Sequence, residues 1–229
     1  MENLKQFLEQ WDMMVSKNYK EIKLFNPEFT TNITIDQMKH FFKVFYHLRG
    51  HFHDFLWYMG NNAPDENSKD IILDNLKEEF GKNRSHEQLF WQSAEVINID
   101  LAEELIYQKN YIDFAKDFNR GHLLYLVSHD WERNVAAFAA YERLDNIDYA
   151  NLLEFIKSFN VFKNNPNALA FFVMHSKVKH YEMIDEGFNL EMIWAKDKNK
   201  IIESFNFIAE HQNKMWKKLS NEVFNYVRN

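Results

Sequence analysis

The stretch NLKEEFGKNRSHEQ, residues 75–88, contains the signals for one helix end and one helix start. Gly81 is a typical C-terminal signal, because glycine readily adopts the left-handed conformation that ends many helices. Ser85 predicts the N-cap of the following helix, and Gln88 three residues later completes a capping box. The stretch therefore predicts two helices joined by a tight turn.

This turn brings two potential metal ligands close together. Glu79 lies in the last turn of the first helix, and His86 lies in the first turn of the second. On one continuous helix the two residues would be about 10 Å apart along the axis. A chain reversal at Gly81 allows both side chains to point into one site. The alternative is an exposed carboxylate and an exposed histidine beside a turn.

Helical signals extend over the whole chain. The 229 residues include only 5 Gly and 3 Pro, and apolar residues recur with a period near 3.6. Strand-like alternation and linker-like segments are missing, which predicts an all-α protein with one domain over residues 1–229. The predicted helices cover about residues 3–16, 34–58, 67–80, 85–98, 100–107, 111 or 121–144, 149–160, 168–186 and 198–227.

Composition excludes several classes of protein. The absence of cysteine excludes disulfide scaffolds, zinc–thiolate sites and cysteine nucleophiles. A net charge of -7 without a basic tract argues against a nucleic-acid partner. No apolar run approaches the roughly 18 residues of a membrane span, so no membrane partner is expected. The amphipathic, acidic N-terminus differs from a signal peptide, and we expect a cytoplasmic protein.

Glu142 interrupts an otherwise apolar helix face. Steps of three and four residues back along the chain reach Phe138, Val135 and Trp131, so Glu142 continues an apolar stripe of three turns. A buried carboxylate is costly unless it is paired or binds a metal. The alternative is that Glu142 reaches solvent at a helix end or pairs with Arg143.

A second set of polar residues interrupts the predicted helix 168–186. His175, Lys179 and Glu182 fall within about 60° of one another on a regular helix, whereas His180 points away. The functional interpretation is a site on this face. The alternative is a partly solvated edge on which Lys179 and Glu182 form a surface pair.

The predicted helix 34–58 carries an unusual histidine stripe. His40, His47, His51 and Asp54 share one face. We expect His47, His51 and Asp54 to line a substrate pocket, with Asp54 fixing a histidine tautomer. The alternative is a set of hydrogen-bonded core histidines.

Three motifs together resemble the haem-oxygenase-like superfamily. They are NLKEEFG followed by H (Glu79, Gly81, His86), AAYE (Glu142) and FFxxH (His175). Within the superfamily they are most similar to the dimetal oxidases, which include a para-aminobenzoate synthase that consumes its own side chains. The resemblance implies a compact bundle of about seven helices, commonly a homodimer, with an iron site that activates dioxygen. It implies Glu79, His86, Glu142 and His175 as ligands, a set that also suits manganese.

The chain departs from the family pattern after His175. The pattern continues with Asp four residues on and His three further, where this chain has Lys179 and Glu182. Glu182 could replace the histidine as a ligand. Three interpretations of Lys179 stay open. Its ammonium could occupy the space of the second metal, it could be a reactive or deprotonated metal-binding amine, or the helix is irregular and His180 enters the site.

These observations favour a non-haem iron- or manganese-dependent oxidase or oxygenase with an altered second metal site. We expect one or two metal ions, no haem, and dioxygen acting on a small organic substrate. Lys179, Tyr141 and Tyr181 are candidate catalytic residues, and the alternative for both tyrosines is a packed aromatic side chain. Two other functions stay open: a metal-free enzyme of this fold that binds an anionic aromatic substrate, and a non-catalytic binding protein.

Overall fold

A computed structural model describes residues 3–177 and 180–227, which form α-helices joined by short turns. Six of the helices have 15 residues or more and form the body of an all-α bundle. This confirms the predicted fold class, and the number of long helices agrees roughly with the expected seven. The helices are α1 (Leu4–Tyr19), α2 (Pro27–Thr30), α3 (Ile35–Asn62), α4 (Glu66–Phe80), α5 (His86–Glu95), α6 (Ala102–Tyr107), α7 (Asp113–Ser128), α8 (Trp131–Lys157), α9 (Asn160–Lys163), α10 (Pro166–His175), α11 (His180–Phe188) and α12 (Leu190–Asn225).

Aromatic side chains join the central helices. The ring of Phe41 on α3 lies 4.9 Å from that of Phe155 on α8, and Phe42 lies 5.4 Å from Phe90 on α5. Phe90 in turn lies 5.1 Å from Phe171 on α10. Such ring pairs contribute about 0.5–1.5 kcal/mol each beyond the burial of their area. They fix α3, α5, α8 and α10 around the polar interior described below.

Two predicted capping boxes are present. Thr34 caps α3 and exchanges hydrogen bonds with Gln37, and Ser85 caps α5 in the same way with Gln88. Each box satisfies two backbone N–H groups that the first turn of a helix leaves free. These two helix starts were therefore readable from local sequence.

The predicted boundaries between residues 111 and 160 are wrong. The chain breaks after Ser128, where Asp130 caps α8 by accepting a hydrogen bond from the backbone N–H of Arg133 at 3.0 Å. Helix α8 then continues without interruption to Lys157. The polar stretch 145–148 suggested a helix end, but its acidic residues line interior cavities.

The prediction of one continuous helix over residues 168–186 is also wrong. Helix α10 ends at His175, and α11 begins at His180. Lys179 lies outside the described residues. Residues 176–179 contain neither Gly nor Pro, so the sequence carries no breaker signal there. The rotation of 100° per residue therefore cannot be used to place residues of α10 and α11 on one common face.

The longest helix, α12, bends at Asp197, where φ is -157° and ψ is 90°. The predicted helix 198–227 corresponds to the part after this bend. In the described part of the chain, neither α12 nor any other helix has the long apolar run that crossing a membrane requires.

Candidate metal centre

Glu79, His86 and His175 meet where the ends of α4 and α10 approach the start of α5. Gly81 has a φ of +60°, and a Cβ there would overlap the carbonyl oxygen of Arg84, so the turn after α4 requires glycine. This turn brings Oε1 of Glu79 to 2.9 Å from Nδ1 of His86. One ligand atom of each of the three residues lies within 4.8 Å of the other two. Two ligands on opposite sides of a metal ion are about 4 Å apart, so the group is close to coordination geometry.

The protonation states of the group suit a metal ion. Burial favours the neutral form of Glu79, but His86, His175 and Arg49 outweigh burial and lower its pKa to about 2. Burial, with the nearby His86, lowers the pKa of His175 to about 3. Nδ1–H of His175 donates a hydrogen bond of 2.9 Å to the carbonyl oxygen of Phe171, which leaves the Nε2 lone pair free. At neutral pH Glu79 is therefore a carboxylate and His175 a neutral imidazole.

Two buried polar atoms beside this group have no hydrogen-bond partner among the described residues. Nδ1 of His86 is close to Glu79 but not aligned for a hydrogen bond, and Oε1 of Glu142 is likewise unpaired. Such atoms are rare in folded proteins. Imidazole and carboxylate donors suit divalent iron or manganese, so the residues present fit the ion expected from the sequence.

A narrow cavity, called here the site cavity, adjoins the group. Its volume is about 20 Å³, which holds an ion or one to two water molecules but no organic molecule. At its edge His53 has half of its side chain exposed and lies 4.0 Å from Glu79. The lining residues are Arg49, Phe52, His53, Glu79, Tyr141, Glu142, Asp145, Tyr149, His175 and His180.

Helix α8 contributes two carboxyl groups to this cavity. Glu142, which is 2% exposed, lies where the sequence suggested, and Asp145 three residues on was not predicted. Burial, with Asp145 and Glu79 nearby, raises the pKa of Glu142 well above its usual value. Burial, with Asp148 and Glu79 nearby, does the same for Asp145. The overlooked signal was the spacing of three residues from 142 to 145 and again from 145 to 148, since residues three apart are neighbours on a helix surface.

His180 enters the cavity from the first turn of α11. It is buried, and its Nδ1 lies 3.1 Å from Oε2 of Glu78. Its ring lies 6.4 Å from that of His86. This placement agrees with the interpretation in which an irregular helix lets His180 enter the site.

Glu182 and Tyr181 do not line the site cavity. Glu182 is exposed on α11. Tyr181 packs against the guanidinium of Arg143 at 4.8 Å, and Arg143 is paired with Asp12 at 2.6 Å. The expectation for Glu182 assumed one regular helix, and the turn at residues 176–177 changes the direction of the side chains that follow. Lys179 lies outside the described residues, so its expected role stays a prediction.

Two tyrosines of α8 line the cavity. Tyr141 was expected, and its ring stacks on Phe52 at 5.1 Å. Tyr149 was not expected, and its ring stacks on that of His175 at 4.4 Å, which restrains the imidazole. Burial, with Asp145 nearby, raises the pKa of both phenols, which therefore keep their protons at neutral pH.

The predicted pocket wall of His47, His51 and Asp54 is not formed. Nε2 of His47 lies 3.1 Å from Oε2 of Glu104, and Nε2 of His51 lies 2.6 Å from Nδ1 of His122. Both histidines are buried and hydrogen-bonded in the core, which was the alternative, and Asp54 is exposed. A different face of α3 meets the site cavity, because packing against α4 and α7 decides how the helix is rotated.

That face carries a buried arginine. Arg49 pairs with Glu87, and its guanidinium lies 4.9 Å and 5.0 Å from the rings of Phe90 and Phe171. It lines the site cavity and a second cavity behind it. Its positive charge favours the ionised form of Glu79. An arginine in an aromatic stripe gave no spacing signal that could have identified it.

Comparison with known proteins agrees with this architecture. A family described as iron-containing redox enzymes matches residues 39–201, which include every residue of the site cavity. A domain of unknown function with a haem-oxygenase-like fold from Shewanella denitrificans OS217 superposes with a TM-score of 0.71 at 15% identity, over 98% of this chain and 93% of that one. A CADD-like protein of unknown function from Nostoc punctiforme PCC 73102 gives 0.63 at 13% identity, over 96% and 98%. No curated protein matches in sequence. The structural matches confirm the haem-oxygenase-like fold.

Proposed function

Because this chain belongs to the family of iron-containing redox enzymes, we propose that it is a non-haem iron-dependent oxidase or oxygenase that uses dioxygen on a small organic substrate. The observation that carries the proposal is the convergence of Glu79, His86 and His175 within 4.8 Å. Manganese is the alternative ion, because it takes the same donor types.

Glu79, His86 and His175 would hold the ion, and Glu142, which lines the adjoining site cavity, would complete the set. The ion, when bound, would supply one-electron chemistry with dioxygen that side chains do not provide. Tyr149 restrains the ring of His175 by stacking on it. A backbone carbonyl holds the Nδ1 proton of His175 and so presents Nε2 to the site.

The other residues of the site cavity control protons and water. Burial raises the pKa values of the carboxyl groups of Glu142 and Asp145, so both groups can take up protons more readily than exposed carboxylates. Phe52 and Tyr141 cover one wall with stacked rings and exclude water from it. The cavity itself has no room for an organic molecule. A substrate would therefore approach from outside at His53, whose side chain is half exposed at the edge of the cavity.

Iron loading tests the proposal. The purified protein would be loaded anaerobically with Fe(II), desalted and analysed for iron per chain, and its oxygen consumption would then be recorded. We expect stoichiometric iron in the wild type, at least a tenfold loss in Glu79→Gln, and no loss in Glu9→Gln, which removes an exposed carboxylate of α1. Only trace metal in the reconstituted wild type would overturn the proposal. A thermal shift with an aromatic acid instead of iron would favour the metal-free alternative.

The homodimer and the cytoplasmic location expected from the sequence belong to the same proposal. Neither is needed for the metal chemistry, because the residues of the site cavity come from one chain.

A further inference from the structure

A second cavity lies behind the site cavity and is called here the inner cavity. Its volume is about 20 Å³, enough for one or two water molecules. Four residues line both cavities and form the wall between them: Arg49, Tyr141, Asp145 and Tyr149. The remaining lining residues include three polar side chains that the proposed function does not use, namely Asp148, Gln212 and Trp216.

These three side chains are each 2% exposed, and each has a polar atom without a hydrogen-bond partner among the described residues. The atoms are Oδ1 of Asp148, Oε1 of Gln212 and Nε1 of Trp216. Oε1 of Gln212 accepts a hydrogen bond, Nε1 of Trp216 donates one, and the carboxyl group of Asp148 donates one when it is protonated. One water molecule matches this set, because it can accept from Trp216 and from protonated Asp148 and donate to Gln212, which leaves its second hydrogen for another acceptor.

The carboxyl group of Asp148 has several polar and charged neighbours. Trp216 and Tyr19 lie near its carboxyl group, yet Nε1 of Trp216 and the hydroxyl of Tyr19 have no hydrogen-bond partner among the described residues. A water molecule can bridge such neighbouring polar groups. The other charged or titratable groups facing the inner cavity are Arg49 from α3, and Tyr141, Asp145 and Tyr149 from α8.

Asp145 connects the two cavities. Its side chain lines both of them. It interacts electrostatically with Asp148 on the inner side and with Glu79 on the site side. A proton that reaches Asp145 from the inner cavity is therefore delivered to the wall of the site cavity.

We propose that the inner cavity is a water-binding site through which Asp148 supplies protons to the site cavity by way of Asp145. The inference rests on the proposed function, since reduction of dioxygen consumes protons. In the transfer, the carboxyl O–H bond of Asp148 breaks as the water accepts the proton, and the water gives one of its own protons to the carboxylate of Asp145. Asp148 is left ionised and regains a proton from solvent water between turnovers. Burial raises the pKa of Asp148 to about 7, so the group can hold and release a proton near neutral pH.

The first test concerns the water site and needs no metal. A high-resolution crystal structure should show water bonded to Asp148, Gln212 and Trp216, and Gln212→Leu should remove it. In infrared spectra of the iron-free protein, a protonated-carboxyl band should disappear with a midpoint near pH 7. That band should be missing in Asp148→Asn and unchanged in Asp70→Asn, which alters an exposed residue of α4. A dry inner cavity, or an unchanged band in Asp148→Asn, would overturn the proposal.

The second test concerns proton delivery. Iron content and the rate at which bound Fe(II) is oxidised by dioxygen would be measured from pH 5 to pH 9. We expect the wild-type rate to fall above pH 7. Asp148→Asn should bind the same iron but react at least fivefold more slowly below pH 7, without that pH dependence. A variant with the wild-type rate and profile would overturn proton delivery. A wild type that binds no iron would overturn the proposed function and proton delivery together, whereas the water site would still be decided by the first test.

Discussion

Two groups of three histidines lie inside this protein. The first group, His86, His175 and His180, lies at the candidate metal centre, where His175 and His180 line the site cavity and His86 lies beside Glu79. The carboxyl groups of α4 and α8 surround this group. The second group, His51, His122 and His211, lies between α3, α7 and α12, where ring contacts of 4.8 Å and 4.6 Å join its members.

Hydrogen bonds to backbone carbonyls and between rings hold the second group, although Nε2 of His122 has no partner among the described residues. Nδ1–H of His51 donates to the carbonyl oxygen of Leu48, so its Nε2 accepts from Nδ1–H of His122. His211 donates to the carbonyl oxygen of Phe118 and packs directly against Gly121, where a Cβ would overlap its ring. Burial and the neighbouring histidines lower the pKa values of His51 and His122, and no carboxylate among the described residues opposes that effect.

The contrast teaches that clustered histidines alone do not indicate a metal site. Imidazoles of the second group satisfy backbone carbonyls and one another, and they remain neutral because burial disfavours their charge. Carboxylates distinguish the first group, since they supply negative charge, whereas each group contains a buried ring nitrogen without a hydrogen-bond partner among the described residues. The presence of carboxylates is therefore the property to test.

The largest expected difference between the groups is in metal content. His175→Ala should reduce iron per chain at least tenfold, because it removes one of three converging ligands. His122→Ala removes an equally buried histidine but should retain wild-type iron. Elemental analysis of both variants after anaerobic loading measures the effect. Equal losses in the two variants would mean that the histidine groups are not functionally different.

Stability should show the opposite order. His122→Ala should lower the free energy of unfolding by about 2–4 kcal/mol, because it opens a cavity and leaves His51 without its partner. Glu142→Gln should be neutral or stabilise the iron-free protein by about 1 kcal/mol, since it removes a buried carboxyl group beside Asp145 and Glu79. Urea unfolding of the iron-free variants gives both values. A Glu142→Gln variant less stable than His122→Ala would contradict this assignment of roles.

Acid should destabilise the second group in a defined range. Burial lowers the pKa of His51 to about 4, against about 6.5 in the unfolded chain. Between these two pH values the unfolded state binds one more proton than the folded state. The contribution of neutral His51 to stability is therefore complete above pH 6.5 and is lost as the pH falls toward 4. His51→Leu should reduce the dependence of unfolding free energy on pH by about 1.4 kcal/mol per pH unit in this range. Urea titrations at several pH values measure the slope, and an unchanged slope would refute the assignment.

The smallest effect is expected at Tyr141, which touches both groups. Its ring lies 5.6 Å from that of His122 and it also lines the site cavity. Tyr141→Phe keeps the ring and removes only the hydroxyl, so stability should change by less than about 1 kcal/mol. Iron content should stay at the wild-type level. A large loss of iron would show that the phenol takes part in holding the ion.

Local sequence was sufficient wherever one helix end decided the outcome. The turn at Gly81 and the cap at Ser85 could be identified within fourteen residues, and they are what bring Glu79 to His86. The apolar stripe that leads to Glu142 likewise depends on the phase of a single regular helix. For such features the interactions lie within about one turn, so residue spacing determines them.

Only the tertiary structure decided the rest of the site. Asp145 and Asp148 resembled a helix end, His180 resembled an outward-facing residue, and Arg49 gave no signal. Their positions depend on how α8 is buried, on the break between α10 and α11, and on the rotation of α3. The sequence by itself therefore determined the all-α class, the aromatic core and the candidates for the three converging ligands. Packing between distant helices decided which carboxyl groups, histidines and cavities surround Glu79, His86 and His175. Such contacts join residues far apart in the chain, so local sequence does not determine them.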